Sequence, residues 1–98
     1  MPRRNNKLRL SNVKGFLSQI TEDTSIDTMI KLKTRAANCL SNVGDKKNLN
    51  MSIKLYNEVY DLQCGIRGPM NPIALNTAKL IMISEQKLKQ LRCLKMSE

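Results

Sequence analysis

Arg67-Gly68-Pro69-Met70-Asn71-Pro72 is the segment on which the fold turns, because it holds two of the three prolines and separates three short helical patterns from one long one. Its second half predicts a helix start. Asn71 offers a side-chain oxygen to the first free backbone N–H groups, and Pro72 suits the first helical position, where its missing N–H costs nothing. The first half is conformationally unusual. Gly68 is free in φ and Pro69 is not, and the Gly68-Pro69 bond belongs to the one class whose cis form lies within about 0.5–1 kcal/mol of trans. The segment therefore reads either as a stiff interhelical connector or as a loop presented for recognition.

Downstream, the spacing predicts a helix from Pro72 to about Lys95, roughly 24 residues or 36 Å at 1.5 Å per residue. Ala74, Thr77, Ile81, Leu88 and Leu91 form one stripe, while Ile73, Leu80, Ile83 and Leu94 fall beside it. That apolar width places the helix at the centre of a bundle or leaves part of it for a second protein.

Upstream, Ser11 is a candidate N-cap for a first helix carrying Val13, Phe16, Leu17 and Ile20, fading near Glu22-Asp23. Thr24, with Asp27 three residues on, opens a second helix whose buried side is Ile26, Met29, Ile30, Ala37, Leu40 and Val43. Gly44 ends it as a left-handed C′ residue. A third helix is expected from about Leu49 to Gln63, with Ile53, Tyr56, Val59 and Tyr60 inward, a Lys54–Glu58 pair outside and Gly65 as terminator. No strand pattern, repeat or low-complexity tract interrupts this. The class is all-α, a small bundle of about four helices with the C-terminal one longest, organised as a basic arm over residues 1–10 and a single helical domain over 11–98.

A chain of 98 residues carries one modest core. With only Phe16, Tyr56 and Tyr60 as aromatics, the core rests on Leu, Ile, Val and six methionines, whose adaptable side chains suit partner surfaces as well as interiors. Seventeen Lys and Arg against eight Asp and Glu give a net charge of +9, which implies an anionic partner: nucleic acid, an acidic protein face or lipid. The longest apolar run, Leu80-Ile81-Met82-Ile83, is too short to span a bilayer, and Arg3 and Arg4 are followed by polar residues instead of the apolar stretch of a secretory leader. An intracellular protein is expected.

Chemistry is sparse. There is no histidine, the commonest general base and a usual zinc ligand, and Cys39, Cys64 and Cys93 are spaced too widely for a metal knuckle and read as small, reduced, buried residues. The carboxylates are scattered, and Gly15, Gly44, Gly65 and Gly68 form neither a phosphate loop nor a dinucleotide fingerprint. The expectation is a non-enzymatic protein with no cofactor and no metal.

Two binding functions remain. A DNA-binding regulator would use Arg3, Arg4 and Lys7 of the arm together with Lys46 and Lys47 after Gly44, in the manner of a helix-turn-helix, although the polar turn fits an ordinary helical hairpin better. A protein-binding module would use Arg67, Gly68, Pro69 and Met70 in the loop, and Lys87, Lys89 and Arg92 on the exposed part of the last helix. The Gly-Pro-hydrophobic-x-Pro order of the loop is similar to the segments that cyclophilin-type prolyl isomerases capture: glycine lets the backbone enter a narrow groove while the proline ring fills an apolar pocket.

In overall size, basic helical character and the Gly68-Pro69 loop ahead of a long helix, the chain resembles the anti-RecBCD proteins of Salmonella lambdoid phages. The resemblance implies a protein of the host bacterial cytoplasm that binds the RecC subunit of the RecBCD helicase-nuclease and alters its processing of DNA ends and its response to Chi. It also implies a host prolyl isomerase as a second partner at Pro69, with DNA met only through the enzyme. A protein of charge +9 cannot mimic DNA in a nuclease tunnel, so an inhibitor of this kind has to dock on a protein face.

Overall fold

The computed structural model describes the backbone of residues 2–97 and the side chains of residues 7–91. It is all-α. Four helices follow one another: α1 over Pro2–Ser18, α2 over Ile26–Val43, α3 over Lys46–Arg67 and α4 over Pro72–Ser97, the last being the longest at 26 residues.

The helix ends differ from the sequence expectation in instructive ways. Ser11 caps nothing; it lies inside α1, which reaches back through the basic N-terminal stretch to Pro2, itself suited to a first helical position. At the other end α1 stops at Ser18, short of Glu22-Asp23, where the ladder tightens to i→i−3 bonds from the Gln19 N–H to the Phe16 carbonyl and from the Ile20 N–H to the Leu17 carbonyl. Ser18 Oγ and Gln19 Nε2 both donate to the Gly15 carbonyl, at 2.9 and 3.2 Å. Thr24 does not cap α2, since its hydroxyl accepts from the Thr21 N–H at 2.7 Å and donates to the Gln19 carbonyl at 3.4 Å, closing the preceding turn. The cap falls to Ser25, whose Oγ accepts from the Thr28 N–H at 3.2 Å.

Gly44 ends α2 as expected, at φ 81°, with its N–H on the Leu40 carbonyl. Asp45 follows at once and caps α3 by accepting from the Asn48 N–H at 2.9 Å, so the connection is two residues and α3 begins at Lys46 instead of Leu49. Gly65 does not terminate α3. The helix runs through it to Arg67, and Gly68 closes it at φ 86°, ψ 157°, donating its N–H to the Cys64 carbonyl at 2.9 Å. Asn71 then caps α4, accepting from the Ile73 N–H at 2.9 Å.

Packing is sequential: α1 lies on α2, α2 on α3 and α3 on α4. The middle of the array is therefore α2 and α3, and α4 is an edge helix. This corrects the first of the two expectations for α4, because its apolar width is not absorbed by a central position. The molecule is correspondingly drawn out, 45 × 29 × 19 Å, with a radius of gyration of 14.4 Å against about 13 Å for a compact domain of this length.

The core gathers Val13, Ala36, Ala37, Leu40, Leu55 and Tyr56, with Phe16, Leu17, Leu80 and Ile81 packed against it. Ala36 and Ala37 are completely buried and, being small, let α3 close on α2; there the buried Ser52 Oγ donates to the Ala37 carbonyl at 2.8 Å, and Tyr56 donates to the Asn38 side chain. Across the α3–α4 seam, buried Thr77 donates to Gln63 Oε1 at 2.6 Å. Glu58 pairs with Lys33 of α2 at 2.9 Å, not with Lys54 along its own helix. Cys39 and Cys64 are free thiols and half-buried where full burial was expected. Among the described residues no helix is long and apolar enough to cross a membrane.

Candidate protein-docking surface

The loop between α3 and α4 is built by its backbone. At φ 86°, ψ 157° Gly68 occupies a region essentially reserved for glycine, which accounts for that residue without any partner. Its carbonyl accepts from the Asn71 N–H at 3.3 Å, closing a turn over Pro69 and Met70, and the Gly68-Pro69 bond is trans. Pro69 is exposed, and Met70 is 81 % exposed, well beyond what a structural methionine shows. Arg67, the last residue of α3, is exposed beside them.

Arg67 also lines a groove of about 300 Å³ that sequence reasoning missed. Asp27, Ile30 and Lys31 contribute from the first turns of α2, Gln63 and Ile66 from the last turns of α3, and Ile73 from the start of α4. Ile66 and Ile73 are each about half exposed. Gln63 is fixed at the base because its carbonyl oxygen holds Thr77. One signal was present: Ile73 fell beside the buried stripe of the last helix, and Ile66 follows the apolar face of α3 past the glycine taken as its end.

The remaining predicted residues do not join this end. Lys87 lies about 24 Å further along α4, sixteen residues from Asn71. Its ammonium donates to Ser41 Oγ at 3.5 Å, and that hydroxyl is 3.5 Å from the buried Ser84 Oγ, so Lys87 ties α4 to the last turn of α2. Lys89 is exposed. Between the two ends, α4 presents Met82, 68 % exposed, and Ile83, half exposed, with exposed Lys79 and Lys87 one turn away on either side. The side chain of Arg92 lies outside the described residues, as do those of Arg3 and Arg4.

Of the nucleic-acid candidates, Lys7 is exposed on α1, and Lys46 and Lys47 are exposed in the first turn of α3. Two cations there oppose the helix dipole, which the Asp45 cap offsets. Lys46 and Lys47 lie at the opposite end of α3 from Arg67 and the loop.

No family model, curated protein or solved structure matches the chain.

Proposed function

We propose that this is a non-enzymatic phage protein that docks on the RecC subunit of the host RecBCD helicase-nuclease in the bacterial cytoplasm, changing how the enzyme processes DNA ends and responds to Chi. The observation that carries the docking part is the co-location of exposed apolar side chains with cations on the α3–α4 half of the molecule: Ile66, Met70 and Ile73 beside Arg67, and Met82 and Ile83 beside Lys79. Isolated apolar residues on a surface are ordinary, but a run of them interleaved with positive charge suits a protein face that is apolar and acidic. The choice of RecBCD as that partner rests on the resemblance in size, charge and loop.

The test uses purified components. The protein is expected to retard a DNA–RecBCD complex further in a native gel while leaving bare duplex unbound. Direct binding to bare duplex, with log affinity falling linearly in log salt, and no effect on the DNA–RecBCD complex would overturn the proposal in favour of a DNA-binding regulator.

The loop supports a second contact within the same function, with a cyclophilin-type prolyl isomerase held at Gly68-Pro69. Pro69→Ala is expected to keep helicity and stability within about 0.5 kcal/mol of wild type, since Pro69 is exposed and outside any helix, while weakening isomerase binding. Circular dichroism and a purified-isomerase titration check both halves; wild-type behaviour in both makes the loop a connector.

A further inference from the structure

Among the described residues, three recesses of similar size differ in charge. One, lined by Met29, Lys33, Glu58, Asp61 and Leu62, contains its own ion pair and a further carboxylate. A second, lined by residues that include Ser41, Tyr56, Ser84 and Lys87, sits against the C-terminal end of α2, where the helix carbonyls favour cations and Lys87 is already engaged. The groove beside Arg67 is different. Its walls carry Ile30, Ile66 and Ile73, and two cations, Lys31 and Arg67, which form no ion pair or hydrogen bond among the described residues. α2 and α4 both begin at this end and α3 ends there beside Arg67, so two helix N-termini outweigh one C-terminus, and Asp27 is the single acid in the lining.

We propose that this groove receives an acidic segment of a partner protein, one apolar side chain of which enters between Ile30, Ile66 and Ile73 while flanking carboxylates meet Lys31 and Arg67. The volume of about 300 Å³ is at the small end of ligand pockets, which run to about 1,000 Å³, and fits a side chain or two in preference to a larger ligand. Apolar contact supplies an anchor, and the charges set register and partner choice. The inference deepens the docking function proposed above by assigning the chemistry of the partner at one defined place.

The test is fluorescence anisotropy of the full chain with a short fluorescein-labelled peptide of glutamates around one leucine. Wild type is expected to bind it. Lys31→Glu/Arg67→Glu should weaken binding by about tenfold or more, while Lys14→Glu/Lys54→Glu, the same charge change on distant exposed positions, should alter it by less than about threefold. Lys31→Gln/Arg67→Gln gives an intermediate loss. Replacing the peptide leucine by glycine should also weaken binding.

Equal losses in the two Glu double variants, or indifference to the leucine, overturn the groove and leave only bulk attraction to a cation. Purified RecBCD provides a separate arm. If the wild-type chain binds the peptide through the groove but not RecBCD, the groove stands and the named partner falls; binding to RecBCD with no binding to the peptide gives the reverse.

Discussion

The α2–α3 hairpin has a closed end and an open end, and its cations behave differently at the two. At the closed end Gly44 and Asp45 turn the chain in two residues, and two basic side chains reach back to α2 across the surface, Arg9 donating to the Asn42 carbonyl at 3.4 Å and Lys87 to Ser41 Oγ at 3.5 Å, while Lys46 and Lys47 stand exposed in the first turn of α3. The terminal carbonyls of α2 make that end a natural site for positive charge. At the open end Lys31 and Arg67 stand beside half-exposed isoleucines and the exposed Met70. Two of the closed end's cations thus bond to α2, whereas the two in the open-end groove form no ion pair or hydrogen bond among the described residues. Exposed apolar side chains set the open end apart, since Arg67 too stands at a helix C-terminus, that of α3.

The largest expected effect tests whether the two ends differ in packing. Leu49, in the first turn of α3 at the closed end, is completely buried, and Leu49→Ala should cost about 2–5 kcal/mol of unfolding free energy. Ile66→Ala and Ile73→Ala at the open end should cost less than about 1 kcal/mol each, because both residues are half exposed. Urea unfolding of the three variants measures this. A loss at Ile66 comparable to that at Leu49 makes the groove a part of the core and removes it as a docking surface.

The glycines of the open end sharpen the comparison with effects of opposite sign. Gly68 has a backbone conformation that a side chain resists, so Gly68→Ala should destabilise by about 1–3 kcal/mol although nothing crowds the new Cβ. Gly65 lies inside α3, exposed, with no heavy atom within 4 Å of an added Cβ, and Gly65→Ala should stabilise by about 0.5–1 kcal/mol. Thermal unfolding distinguishes them. A destabilised Gly65→Ala would place the end of α3 there, with Arg67 and Ile66 beyond the helix and the groove wall undone.

That pair also shows how far the sequence was legible. The number of helices, the Gly44 and Asn71 boundaries and the buried stripe of α4 through Ala74, Thr77 and Leu88 follow from local rules, because caps and apolar periodicity are written in neighbouring residues. Gly65 misled because a glycine signals a stop only when the chain adopts a positive φ there, and the chain does so three residues later at Gly68. Thr24 misled because a competing turn took its hydroxyl. The edge position of α4 and the groove under Arg67 depend on which helix faces pair at a distance. No spacing rule fixes this, so the loop was found from sequence and its neighbouring groove was not.

The smallest effect concerns the polar contacts toward the closed end. Tyr56 is buried, and burial pushes its phenol above the ordinary value of about 10. The folded state thus holds the proton more tightly than the unfolded chain. The resulting stability is complete below the unfolded value and is lost as pH rises from there through the raised folded one. Tyr56→Phe removes this contribution together with the hydrogen bond to Asn38. The stability difference between wild type and Tyr56→Phe, followed by urea unfolding, should therefore be flat from pH 8 to about 10 and then turn against wild type as pH rises further. A flat difference through pH 11 would mean that the phenol ionises as freely as in the unfolded chain. In that case the contacts joining α2 to α3 would be open to water, and the hairpin would be as loosely closed there as it is around the groove.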